Sequence, residues 1–174
     1  MKRRRLFLLV VACYFLVFVS CEKDKVPVDY VAAKKEWIAG TWMQKDLLLG
    51  VTTTVAGFRL TEGSSMLTDP VINAVLTNAF GGNPFLATAN NGYVFNPNGT
   101  YTASGDFSLV HSEIGAGGQW DLEVYGAVLA LFPSADKRLP NWVNNVRPTE
   151  LNLGLTVDVP GLGAIPMNLL LEKQ

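Results

Sequence analysis

Near the end of the chain, Leu151, Leu153, Leu155, Val157 and Val159 fall on every second position. Asn152, Gly154, Thr156 and Asp158 fill the positions between them. A strict period of two places alternate side chains on opposite faces, so this segment predicts a strand with one dry face and one wet face. The same alternation, in shorter runs, recurs through much of the chain. "TWMQKDLLL" and the β-branched "VTTTVAGFRL" predict strands, with bends tolerated at Gly50 and Gly57. "GYVF" and "TYTASG" flank Asn96-Pro97-Asn98-Gly99, a strong hairpin signal. "DFSLVHSEI" continues the strand pattern, and Gly115, Gly117 and Gly118 supply a turn. In "QWDLEVY", Trp120, Leu122 and Val124 share a face. "AVLALF" is an apolar run closed by Pro133, "SADKRLPN" reads as a loop, and "WVNNV" and "MNLLLEK" complete the set.

Two stretches carry a helical period instead. In "DYVAAKKEWIAG", Asp29 suits an N-cap, Tyr30, Ala33 and Trp37 lie near one face, and Gly40 ends the helix. In "DPVINAVLTNAF", residues 69 to 80, Asp69 is an N-cap and Pro70 takes the first helical position. Val71, Val75 and Ala79 share a face there, and Gly81 and Gly82 stop the helix. Eight to ten short strands joined by tight turns, with one inserted helix and a short N-terminal one, predict an all-β antiparallel barrel or sandwich. The folded domain is expected over residues 36–174, with the inserted helix over one barrel end.

The first 20 residues differ from everything after them. Lys2, Arg3, Arg4 and Arg5 precede an unbroken apolar run from Leu6 to Val19. The run is shorter than the roughly 20 residues a spanning helix needs. Cations, a short apolar run and a small residue, Ser20, read as a secretory signal peptide over residues 1–20. Cys21 follows directly, and then Glu22, Lys23, Asp24 and Lys25, the start of a polar tether over residues 21–35. Cleavage before Cys21 would leave 10 basic against 15 acidic residues, a net charge of −5. That balance argues against nucleic-acid binding. Cys13 leaves with the signal, so no disulfide and no cysteine metal ligand is expected.

Ser20-Cys21 after an apolar run resembles the lipobox of bacterial lipoproteins, although Phe18 stands where leucine is usual. The resemblance implies a lipidated Cys21 at the mature N-terminus, a membrane contact through that lipid anchor, and a cell-envelope, outer-membrane location. Gly40-Thr41-Trp42 at the first strand resembles the G-x-W signature of lipocalin-like barrels. "YVFNPNGTYTASG", "GGQWDLE" and "RPTELNLGL" are similar to segments of lipocalin-like lipoproteins from Bacteroidetes-type bacteria. The family implies a lipocalin-like β-barrel, with Gly40 and Trp42 structural at its closed end, and binding of a small hydrophobic ligand.

Residue chemistry adds little to this. His111 and Glu113, two apart on an expected strand, could give two metal ligands, but a zinc site needs three or four. Asp121 and Glu123 could form a carboxylate pair, but they lie opposite Trp120 and Leu122 on the expected solvent face. No G-x-S-x-G occurs, and the glycine-rich turns lack a phosphate-binding pattern. No catalytic residue, metal or cofactor is assigned, and an enzyme is not expected. Tyr93, Phe95, Tyr101, Phe107 and Trp142 are the candidate ligand-binding residues, each with core packing as the alternative reading. Two functions stay open: a barrel that holds a hydrophobic small molecule, or a filled barrel that serves a structural or protein-interaction role.

Overall fold

The computed structural model describes residues 29–159 and 161–174. The signal segment and Cys21 therefore lie outside the described residues. Eight strands close into an antiparallel barrel of lipocalin-like type: β1 (Gly40–Leu49), β4 (Gly92–Phe95), β5 (Thr100–Ser104), β6 (Gly117–Glu123), β7 (Val128–Ser134), β8 (Lys137–Val146), β9 (Glu150–Val159) and β10 (Gly163–Lys173). From β4 onward each strand pairs with the next in sequence, and β10 returns to β1. Closure removes free sheet edges except where β8 and β9 part toward the β7–β8 and β9–β10 turns. A separate hairpin of β2 (Thr53–Val55) and β3 (Phe58–Leu60) lies in the long connection from β1 to β4.

The alternation read in the sequence sets which side faces inward. Leu151, Leu153, Leu155, Val157 and Val159 are all buried, and β10 aligns Ile165, Met167, Leu169 and Leu171 beside them. Asn96 to Gly99 forms the β4–β5 turn, where Gly99 takes φ +84° and the Asn98 carboxamide oxygen accepts from Thr100 N–H at 3.1 Å.

The two barrel ends differ. Helix α1 (Tyr30–Ile38) lies at the end where β1 begins, called the near end below. Its Asp29 N-cap accepts from the amides of Val31 and Ala32 at 3.0 Å, as expected. The helix stops at Ile38 because Gly40 already belongs to β1. Trp42 is fully buried at this end, and its indole N–H donates to Ile38 O at 2.7 Å. Lys34 Nζ donates to Gly126 O at 3.0 Å, and Lys35 pairs with Asp121 at 2.6 Å. These contacts join α1 to the barrel, so the folded unit reaches back into the segment expected as tether.

The far end is closed by chain from inside the molecule. Helix α2 (Pro70–Phe80) has the expected Asp69 cap and a left-handed Gly81 at its C-terminus. It buries Ile72, Val75 and Leu76, and a 3-10 helix (Pro84–Asn90) buries Phe85. Both belong to the same hydrophobic cluster as the barrel interior, and the Phe80 ring lies 4.0 Å from the Cβ position of Gly161 at the β9–β10 turn.

"DFSLVHSEI" is not a strand. β5 ends at Ser104, and residues 105–116 form a loop. Gly105 takes φ +123°, a conformation that turns the chain, and the Asp106 carboxylate accepts from Ser108 N–H at 2.9 Å to continue the bend. The loop drops Val110 and Ile114 into the core. "SADKRLPN" departs the other way: Lys137–Pro140 opens strand β8, paired with β7.

Candidate functional site

The barrel wall splits along one seam. β8 and β9 pair from Val146–Leu151 only as far as Trp142–Gly154. Beyond that, toward the far end, β8 continues against β7 and β9 continues against β10, but the two do not pair with each other. Pro140 lies in the unpaired stretch and has no N–H to offer a neighbour. The 105–116 loop fills the floor of this gap. What remains is an open cavity of about 420 Å³ bordered by His111, Leu139, Asn141, Trp142, Leu155 and Asp158.

At its floor, polar groups form a chain. Asn141 faces inward, fully buried, and its amide nitrogen donates to Leu129 O at 3.3 Å and Leu139 O at 3.2 Å. That leaves its oxygen toward His111 Nε2 at 2.5 Å. Nε2 is therefore the protonated ring nitrogen, and Nδ1 accepts from the Tyr93 hydroxyl at 3.2 Å. Burial lowers the His111 pKa, and the Asn141 bond opposes this only in part. Burial, with Tyr101 nearby, holds the Tyr93 phenol far above its usual range. The chain is thus neutral throughout, with every ring nitrogen bonded. His111 itself takes φ +57°, an uncommon conformation for any residue but glycine.

Of the aromatics singled out from sequence, the seam exposes one. Trp142 is 62% exposed and forms one wall of the opening. Tyr93, Phe95 and Tyr101 are buried and packed together: Tyr93 stacks on Phe95 at 6.0 Å, and Phe95 meets Tyr101 at 6.5 Å and Trp120 at 5.6 Å. Tyr101 donates to Ile114 O at 2.7 Å, and burial pushes its phenol up to about 12. Phe107 is half-buried, edge-on to Tyr93 at 5.4 Å. These four serve the core. Gly40 begins β1, where a Cβ would meet the Lys173 side chain, and Trp42 lies beneath the Lys173 ammonium at 5.2 Å.

The titratable pairs do not converge. Glu113 pairs with Lys137 at 2.7 Å on the cavity rim, Asp121 is held by Lys35, and Glu123 accepts from the Arg138 guanidinium. Lys35 holds the Asp121 carboxyl below its usual range. Asp121 and Glu123 thus serve separate cations. Among the described residues no three acidic, histidine or cysteine side chains gather as a metal site would require.

Asn141 was the residue that sequence reading missed. An asparagine beside Trp142 carries no motif. Its one signal is position, since the β8 alternation that turns Leu139 inward also turns Asn141 inward. No protein-family model matches the chain, and no curated protein matches it.

Proposed function

We propose that this chain is a lipid-anchored cell-envelope binding protein whose ligand sits in the β8–β9 seam, not in the barrel lumen. The observation that carries the reading is the largely exposed Trp142 beside the buried Asn141 and the half-buried His111, in an opening of about 420 Å³. That volume falls in the range of small-molecule sites, about 300 to 1,000 Å³. An apolar wall of Trp142, Leu139 and Leu155 suits a flat hydrophobic body, above a floor whose Asn141 and His111 groups already bond to protein. Asp158 on the rim disfavours an anion, and Lys137 is already paired with Glu113. The ligand class is therefore a small, uncharged, mainly hydrophobic molecule. No covalent step is required of any residue there.

The anchor rests on Ser20-Cys21 and the apolar run before it. Labelled fatty acid should enter the wild-type protein and not a Cys21→Ala variant, and label in that variant would defeat the anchor. Native mass spectrometry of residues 22–174, after exposure to envelope extract, should reveal a discrete added mass. Trp142→Ala should weaken its retention about tenfold, the size of one lost aromatic contact of roughly 1 kcal/mol or more, while the melting temperature holds. A clean apo mass across repeated extracts would instead favour an interaction role. One observation favours that second reading. A cavity of about 460 Å³ is lined by Phe58, Pro70, Val71 and Ala74 on the insert, and Phe58 and Val71 are exposed.

A further inference from the structure

Four large apolar side chains are exposed at the near end of the barrel. Tyr30 is 74% exposed, Trp37 43%, Val124 59% and Tyr125 96%. Tyr30 and Trp37 are seven residues apart on α1, so they share a face. Lys34 lies between them on nearly the same face, and its ammonium reaches Gly126 O in the β6–β7 turn. The helix face and the turn are therefore contiguous. Single exposed apolar residues are ordinary, whereas a contiguous group marks a contact surface.

The turn is built against local preference. Val124, Tyr125 and Gly126 take φ +50°, +56° and +80° in succession. A left-handed conformation is unfavourable for a non-glycine residue, and a β-branched valine is among the least suited to it. Asparagine and glycine are the ordinary occupants of such turns. Here the strained positions instead hold a valine and a tyrosine that point at solvent.

Chain attachment then sets which end needs the shorter reach. Asp29 is the first described residue and caps α1 at this same end. From Cys21 to Asp29 the chain spans at most about 28 Å when fully extended. The far end lies roughly another 25 Å along strands of this length and tilt. A lipid on Cys21 meets the near end with a short tether, whereas the far end would need the tether almost fully extended along the barrel.

We propose that the near end docks on the bilayer, with Tyr30, Trp37, Val124 and Tyr125 seated at the headgroup level. Tyrosine and tryptophan favour that level, where an apolar ring meets lipid and a polar tip stays wet. Lys34 and Lys35 are committed to Gly126 and Asp121, so apolar insertion rather than charge holds the face down. The barrel then stands with its insert and far end pointing away from the membrane. This inference rests on the anchored reading of Cys21.

The test couples the chain from Cys21 onward to vesicles through a maleimide lipid on the Cys21 thiol. The vesicles are phosphatidylethanolamine and phosphatidylglycerol with brominated acyl chains, which quench nearby indoles. Coupling is chemical, so docking is read whether or not a cell acylates Cys21, and fatty-acid labelling reads acylation separately. Tyr125→Trp should lose much of its added emission, as expected of an interfacial indole. Trp37→Phe should remove most of the quenching seen in wild type. Thr61→Trp, an exposed far-end control, should gain an indole that is not quenched. Equal quenching of the Tyr125→Trp and Thr61→Trp additions, or none in either, would overturn the docked orientation. So would a Tyr125→Trp emission already shifted to the blue without vesicles, which would mean that protein covers the face.

Discussion

The imidazole of His111 is fixed by partners at both nitrogens, and its state depends on the orientation of one amide. Asn141 spends its donor on two strand carbonyls, so its oxygen holds the Nε2 proton and Nδ1 takes the tyrosine hydroxyl. Burial lowers the ring's pKa in the folded state, so the unfolded chain takes up a proton more readily than the folded one. Stability from this group is fully present above its unfolded value, about pH 6.5, and falls as pH drops toward the folded pKa. The stability advantage of wild type over His111→Gln should therefore shrink between pH 7.5 and pH 5, read from urea midpoints of both proteins. Parallel midpoints across that range would mean that the ring is not held neutral.

At the scale of elements, the long connection from β1 to β4 is part of the core rather than a decoration of it. Helix α2 has a capped start, a glycine stop and three side chains in the main hydrophobic cluster. Leu76 is completely buried. Leu76→Ala should cost about 2–5 kcal/mol, the range for a large-to-small change in a packed interior, measured by urea denaturation. A cost below about 1 kcal/mol would make α2 a detachable lid, since only poorly packed sites tolerate such a loss. The 105–116 loop acts similarly from the other side, burying Val110 and Ile114 and delivering His111 to the seam. Its residue types read as a strand, because strand-forming side chains and core-anchoring side chains are the same apolar types.

For the whole molecule, closing the far end from within moves the candidate site outward. A barrel of eight strands leaves an interior just wide enough for side chains. Here Trp42, Tyr93, Phe95 and Tyr101 fill one part of it, and Leu76, Phe85, Val110 and Ile114 close another. The proposed binding surface is therefore a defect in the wall, where two strands part around a proline and an inserted loop. The proposed membrane surface lies at the opposite end from the insert. The two surfaces are thus separate: Trp142 lies on the side wall, and Tyr125 on the near end.

The sequence by itself determined the inward face of β9, both helix N-caps, the Asn-Gly turn and an all-β antiparallel class, with barrel and sandwich both open. Each of these depends on side-chain period or on residues a few positions apart, so local physics suffices. The tertiary structure alone decided that residues 105–116 leave the sheet, that Tyr93, Phe95 and Tyr101 pack as core, and that His111 meets Asn141 and Tyr93. Those outcomes depend on which strands separate and which distant side chains share a volume. His111 and Asn141 lie 30 residues apart, and no periodicity reports a contact at that range. It exists because the β8–β9 ladder stops at Trp142, and a gap in the wall is a property of pairing, not of any segment alone.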